Sequence, residues 1–321
     1  EIIDEDADGY SPPEDCNDAN SNINPSAAEI CDLIDNNCNT QIDEGQVCTA
    51  IIGEINTISI NQPDSTTWHT LNLNNDYTAP IVIMQPLSFN GPDPAHIRVR
   101  NVSPDSFEFQ IEEWDYIKSQ SHITENISYL VIESGSHILE DGTKIQASLA
   151  NSNHEFKTAL FSSSFNSTPI ILTQSQTHYG PQAIVTRQKN ANPRGFNVKV
   201  QEEEGNDGIH IYEDIGYIAI ESSLNGTNNG NKFETRSTST NHNWRTIYFA
   251  QNYNSPPIFL ASLNSYIGTD PAGLRYKNLA SQSLSIKIEE EQSKDSEVQH
   301  TNEAVDYLVF EKPGNIIAIT N

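Results

Sequence analysis

Three stretches of this chain are copies of one another, so whatever it folds into must be built three times. Trp68-His69-Thr70, Phe156-Lys157-Thr158 and Trp244-Arg245-Thr246 stand 88 residues apart each time. Pro80-Ile81-Val82, Pro169-Ile170-Ile171 and Pro257-Ile258-Phe259 follow. Arg98, Arg187 and Arg275 then each precede by 13 residues the last apolar residue of an alternating segment: Phe107, Phe109, Ile111; Phe196, Val198, Val200; Leu284, Ile286, Ile288. Alternation with period two marks a half-buried strand of an antiparallel sheet. Each such strand runs into acids: Glu112-Glu113, Glu202-Glu203-Glu204 and Glu289-Glu290-Glu291. A His-x-x-Glu follows (His122 and Glu125, His210 and Glu213, His300 and Glu303), and a last apolar strand opening on Tyr129, Tyr217 or Tyr307 closes the unit. A unit of about 75 residues with some six short strands fits a small β-sandwich. The expected fold is therefore all-β: three tandem small antiparallel β-sandwiches behind an irregular N-terminal module. The expected divisions are 1–49, 50–146, 147–234 and 235–321.

The module ahead of the repeats has a different chemistry. Its first 50 residues hold 13 Asp and Glu and no Lys, Arg or His, within a chain of formal net charge -27. Such a head compacts only if cations neutralise it, and a chain this acidic repels phosphate backbones, which argues against nucleic acid as a partner. All four cysteines, Cys16, Cys31, Cys38 and Cys48, lie here. An even number so closely spaced reads as two disulfides and an oxidising, extracytoplasmic compartment. Three pairings are open. A four-thiolate zinc site is the alternative, but the spacings lack the CxxC knuckles such sites favour.

Between the cysteines, oxygen ligands recur at every second position. Asp4, Asp6 and Asp8, then Gly9, the Tyr10 carbonyl and Asp15 follow the EF-hand loop scheme. Asp18, Asn20, Asn22, Asn24 and Glu29 form a second series. Asp35, Asn37, Asn39, Gln41 and Asp43, followed by Glu44, form a third. Hard oxygens without His or Met select Ca²⁺ over copper or zinc. A disordered acidic tail is the bland alternative.

Two resemblances follow. Asp15-Cys16-Asn17-Asp18, Asn24-Pro25, Glu29-Ile30-Cys31-Asp32, Asp35-Asn36-Asn37-Cys38-Asn39 and Ile42-Asp43-Glu44-Gly45 resemble the MopE-type metal-binding motif of bacterial surface and secreted proteins, and also thrombospondin type 3 calcium repeats. Asn39-Thr40 stands where the family has Asp-Gly. The repeats resemble H-type lectin domains, best in Phe165-x-x-x-Pro169, Gly195-Phe196-Asn197-Val198 and Gly216-Tyr217-Ile218-Ala219. That resemblance implies trimeric assembly, here a covalent pseudo-trimer, and sugar sites between neighbouring units built from Arg, acidic and aromatic groups.

The candidate ligand-binding residues are thus Arg98, Glu113, Trp114 and His122; Arg187, Glu202 and His210; and Arg275, Glu290 and His300. The bland reading pairs each Arg with the strand-end Glu of its own repeat (Arg98 with Glu113, Arg187 with Glu202, Arg275 with Glu290) and lets each His-x-x-Glu pin a loop. Trp114, replaced by Glu203 and Glu291 in the other copies, Tyr179 and Tyr266 are the aromatics expected at the surface. There is no Gly-x-Ser-x-Gly elbow, phosphate loop or HExxH, and carboxylates copied three times speak for architecture rather than for one acid and one base. No run of about 18 apolar residues offers a membrane span. The chain opens on Glu1 rather than Met, which reads as a processed piece with any signal peptide removed. The expectation is a secreted, calcium-binding, non-catalytic carbohydrate-binding or adhesive module. A calcium-rigidified spacer or surface-layer component, or an accessory region of a polysaccharide-degrading enzyme, stands as the alternative.

Overall fold

Alternating apolar residues become strands throughout the repeats. The computed structural model describes residues 3–320, which contain β-strands and no helix. The first repeat comprises β1 (Thr49–Gln62), β2 (His69–Asn72), β3 (Pro80–Ile83), β4 (Leu87–Ser88), β5 (Ala95–Arg100), β6 (Ser106–Glu113) and β7 (His122–Glu133). The second comprises β8 (Gly135–Ile138), β9 (Lys144–Ser152), β10 (Lys157–Leu160), β11 (Ile170–Ser175), β12 (Ile184–Asn192), β13 (Gly195–Glu202) and β14 (Glu213–Ile220). The third comprises β15 (Ser223–Asn228), β16 (Asn231–Thr240), β17 (Arg245–Tyr248), β18 (Ile258–Leu263), β19 (Ala272–Lys277), β20 (Ser283–Glu290) and β21 (Glu303–Phe310), and β22 (Gly314–Ile319) follows.

Each repeat is a two-sheet sandwich. The outer sheets run β2-β6-β5, β10-β13-β12 and β17-β20-β19, the last continuing through β4 into the first repeat's inner sheet. In the inner sheets the closing strand is central: β7 pairs with β1 and β3, β14 with β9 and β11, and β21 with β16 and β18. The alternating residues of β6, β13 and β20 form three separate cores with the closing-strand tyrosines: Phe107, Phe109 and Ile111 with Tyr129, Phe196 and Val198 with Tyr217, Leu284 and Ile286 with Tyr307. The expected divisions at 146/147 and 234/235 fall inside β9 and β16, because these strands, like β1, belong to the sandwich that follows them.

The strands β3, β11 and β18 are buried at every residue. One parity, Val82, Ile171 and Phe259, lies in the sandwich cores. The other, Ile81, Ile170 and Ile258, is equally buried, as are Ile132, Ile220 and Phe310 of the closing strands. Strands apolar on both faces need cover on both. That cover is the other repeats: Leu130, Ile132, Ile220, Phe233, Leu308 and Phe310 line one narrow gap of about 20 Å³, and a Cβ on Gly216 of β14 would lie 2.9 Å from Ile81 of β3. Residues 51–317 accordingly form one compact unit.

The closure is circular. β8 pairs with β9 and β15 with β16, so the strand after each closing strand joins the next repeat's inner sheet. β22, the corresponding strand after the third repeat, pairs with β1 of the first. A head-to-tail interface closes when the last unit meets the first, and here the last strand completes the first sheet. Asn228 of β15 fixes β22, donating to the Ile317 carbonyl (2.7 Å) and accepting its N–H (3.0 Å).

The second unit comprises the chain up to Ala50 with residues from Ala318 onward. It has almost no apolar core. Ile23 and Ala318 are its buried hydrophobic residues among those described, whereas Ile3, Ile30, Leu33, Ile34 and Ile42 are exposed. Disulfides Cys16–Cys38 and Cys31–Cys48, spanning 22 and 17 residues, hold it. Loops of that size contribute roughly 3 kcal/mol each.

Candidate functional site

The first loop of the head brings three of its carboxylates together. Asp4, Asp6, Asp8 and Tyr10 are partly buried, while Ile3, Glu5, Ala7 and Gly9 between them are exposed. One carboxylate oxygen from each of Asp4, Asp6 and Asp8 lies within 4.8 Å of the others. Gly9 takes φ +100°, a conformation that favours glycine, and its N–H, with that of Ala7, donates to Asp4 (3.0 and 2.6 Å). Oδ2 of Asp6, Asp8 and Asp15 is buried without a hydrogen-bond partner. Burial, together with the charges of Asp8, Asp15 and Asp4, raises the Asp6 carboxyl above its ordinary pKa despite the Asp8 N–H it accepts. Orphaned anionic oxygens converging in a loop are what a cation would satisfy.

The other two loops are built differently. Asp18 accepts the Glu5 N–H (3.2 Å) and so ties the first loop to the second. Asn20 accepts the Asn22 N–H, and Asn24 accepts that of Ser26. Glu29 lies at a ligand spacing but accepts the N–H groups of Asn37 (2.8 Å) and Asp43 (3.0 Å), so it braces the third loop rather than completing the second. In the third loop Asp35 accepts from Asn39 and Thr40, Asn39 from Gln41, and Asp43 from Asp32 and Leu33. Glu44 Oε1 is held by the amides of Asn37 and Asn39 (2.6 Å each), which lower its pKa, while Oε2 is buried and unpartnered. Thr40 takes φ +74° at the position where the metal-binding family has glycine. The donors are hard oxygens and the cysteines are oxidised, so the residues fit a hard cation and offer copper nothing soft.

In the repeats, the Arg and His-x-x-Glu positions meet across the junctions. Arg98 of the first repeat binds Glu213 of the second (2.9 Å), Arg187 of the second binds Glu303 of the third (3.0 Å), and Arg275 of the third binds Glu125 of the first (2.8 Å). The same-repeat pairs expected from parity do not form. Arg98 and Arg275 take instead the preceding residue of their own strand end, Glu112 (3.7 Å) and Glu289 (2.6 Å), and Arg187 takes Gln201 (3.2 Å). Glu113, Glu202 and Glu290 accept from Nδ1 of His122, His210 and His300 (2.9, 2.7 and 2.7 Å). Nε2 of each His reaches the Glu three residues on (3.1, 3.1 and 3.3 Å). Each junction is thus a buried Arg–Glu–His–Glu chain.

The pivot Glu also accepts the N–H groups of Asn90 and Gly91, Tyr179 and Gly180, or Ile267 and Gly268, and the hydroxyl of Ser88, Thr177 or Ser265. Burial alone would raise its pKa. The His bond and these donors, joined at Glu213 and Glu125 by the Arg charge, prevail and hold Glu213 and Glu303 at about 2 and Glu125 below its usual value. Burial opposes the charge on His122, but its bonds to Glu113 and Glu125 raise its pKa. The glycines were not among the residues picked from the sequence, yet a Cβ on Gly91, Gly180 or Gly268 would come within 2.8, 2.3 or 2.6 Å of the His ring. Their regular recurrence 89 and 88 residues apart was countable.

All ten candidate ligand-binding residues are at most 5% exposed, and most of their polar atoms bind one another, so they build the junctions. Trp114, expected at the surface, is buried against Ala183 and Val185 of the second repeat, its ring 4.8 Å from that of His96. Tyr266 is half-buried and Tyr179 exposed. What reaches solvent beside each junction is an aromatic pair with cations over it: Trp68–His178 with Arg100, Phe156–Tyr266 with Lys189 and Lys199, and Trp244–Phe89 with Lys277 and Lys287. Between the first and second repeats, Arg100, Asn101, Ser134, His178 and Tyr179 line an open groove of about 600 Å³.

Residues 15–44 match the family described as "Putative metal-binding motif". The chain is 33% identical over 273 residues to Halomucin of Haloquadratum walsbyi, covering 79% of this chain and 3% of that protein, so it spans only a small part of that relative's length. No solved structure matches. The head carries a metal-binding motif, and no described helix is long and apolar enough to cross a membrane.

Proposed function

We propose that this chain is an extracellular, calcium-clamped, non-catalytic carbohydrate-binding module of a surface or secreted protein, with acidic glycans as its ligands. The observation that carries the reading is the threefold recurrence of an aromatic pair topped by Lys or Arg at the rim of each junction. In a chain of net charge -27 with only 17 basic residues, five cations gather at three equivalent places. Cationic donors over an aromatic wall suit a carboxylated or sulfated sugar. The groove beside Tyr179 has the size of a ligand site. Its position between repeats is where the resemblance to H-type lectins puts the sugar. The likeness to Halomucin and the two disulfides support an extracellular setting.

Ca²⁺ is the cation proposed for the head. The ligand atoms are carboxylates, amide oxygens and a carbonyl, and the Asp4–Asp15 loop has the length and glycine of a calcium loop. The cation would supply cohesion in place of the missing apolar core.

The burial of Trp114 and of the junction residues favours a second reading, a calcium-rigidified spacer without a sugar site. A glycan array probed with the calcium-loaded chain and again in EDTA separates the two. Retention of acidic glycans is expected for the binding module, and no retention on any glycan with calcium present overturns it.

A further inference from the structure

The third repeat carries an oxygen cluster that its two counterparts lack. One carboxylate oxygen from each of Asp270, Glu290 and Glu297 lies within 4.8 Å of the others. Two ligands of one Ca²⁺, each bound at about 2.4 Å, are separated by at most about that distance. Glu290 is 4% exposed. Its Oε1 accepts from His300 Nδ1 at 2.7 Å, and its Oε2 is buried without a partner. A buried carboxylate oxygen left unpaired beside two further carboxylates is costly unless a cation sits among them.

The other repeats treat this position differently, although Oε2 of Glu202 in the second is also buried without a partner. In the first, the equivalent Glu113 receives the Ser119 hydroxyl on its Oε2 (3.4 Å). In the second, Gln182 stands in the place of Asp270, its carbonyl accepting from Arg98 just as the Asp270 carbonyl accepts from Arg187, and no such carboxylate trio is found among the described residues. Only the third repeat combines an unpaired buried Glu with two more acids.

We propose that Asp270, Glu290 and Glu297 bind one Ca²⁺, separate from the head, which ties the irregular segment between β20 and β21 to the junction of the second and third repeats. His300 is not available as a ligand, since both of its ring nitrogens are held by glutamates. With oxygen donors alone, the site takes a hard divalent cation and leaves zinc and copper aside. Asp270 also offers its backbone carbonyl to Arg187 (2.7 Å), so the ion would fix a residue that the junction itself uses.

The test uses the full chain and calcium alone. Bound Ca²⁺ per chain is counted by calorimetry and elemental analysis for the wild type, for Glu297→Gln, for Asp270→Asn and for the head variant Asp4→Ala/Asp6→Ala/Asp8→Ala. Glu297 is exposed, so its variant keeps the fold. Glu297→Gln and Asp270→Asn should each lose one Ca²⁺ that the head variant retains, and combining them with the head variant should remove both sets of sites. Crystals soaked in terbium should show an anomalous peak among the three carboxylates. Unchanged stoichiometry in both repeat variants, or terbium in the head alone, overturns the proposal while leaving the head assignment standing.

Discussion

Arg187 and Glu303 meet at 3.0 Å with both side chains fully buried, one from the second repeat and one from the third. With Arg98–Glu213 and Arg275–Glu125 they make a cycle in which every repeat gives an Arg to the next and takes one from the last. Removing one member of a buried pair strands a charge and costs about 3–5 kcal/mol. Arg187→Met, Arg98→Met and Arg275→Met should each lower stability by that order in urea melts, to similar extents. Arg→Lys should not rescue, because one ammonium cannot also span the Gly268 and Asp270 carbonyls that Arg187 holds. A loss below about 0.5 kcal/mol would mean the cycle is incidental.

The same carboxylates set the acid limit of the fold. Glu213 and Glu303 are depressed to about 2, against about 4.3 in an unfolded chain. A group with a lowered folded pKa contributes stability above its unfolded value and loses it as pH falls through the folded one. The urea midpoint should therefore fall steeply between about pH 4.3 and 2, and more shallowly in Glu213→Gln.

Glu234 of β16 behaves in the opposite way. It is fully buried, its Oε2 takes the N–H groups of Ala250 (2.6 Å) and Gln251 (2.9 Å), and its Oε1 has no partner. Burial outweighs those bonds and raises its pKa. A raised folded pKa means stability present at low pH and lost as pH rises through it. The second repeat has Gln146 here, which meets the Ser162 N–H at 3.0 Å without a charge. Glu234→Gln should raise Tm by roughly 2–4 °C at pH 7.5 and give no advantage at pH 3.5, as followed by thermal melts.

β22 turns a row of repeats into a ring. A chain ending at Pro313 would leave β1 as an open edge and Asn228 without its Ile317 partners. Open edges invite pairing with other chains. The truncated chain should melt several degrees lower and self-associate in sedimentation. Unchanged melting and a monomer would show that the closure adds nothing.

The strands and the period were legible because side-chain alternation is a local signal that a repeat amplifies. The partners of Arg98, Arg187 and Arg275 were not. Every position is copied, so each Arg finds a matching Glu both in its own copy (Glu113 for Arg98) and in another (Glu213 for Arg98), and repetition cannot separate contacts within a copy from contacts between copies. The inward parity of Glu113 was readable, and it is buried, but with His122 rather than Arg98. Trp114 looked like a surface aromatic because Ala183 and Val185, which cover it, lie in the next repeat. In the head, alternation found the oxygens of Asp4, Asp6 and Asp8, but spacing could not show that Glu29 turns to the backbone of the third loop.

The central claim is that the junction rims bind acidic glycans, and the most direct measurement is equilibrium binding of the calcium-loaded full chain to immobilised chondroitin sulfate, with neutral dextran as control. The Arg100→Gln/Lys189→Gln/Lys277→Gln variant, which touches no buried Arg, is run alongside. Saturable binding to chondroitin sulfate, absent on dextran and weakened at least tenfold in the variant, is the predicted result. Equal retention on both surfaces, or equal affinity of wild type and variant, would contradict it.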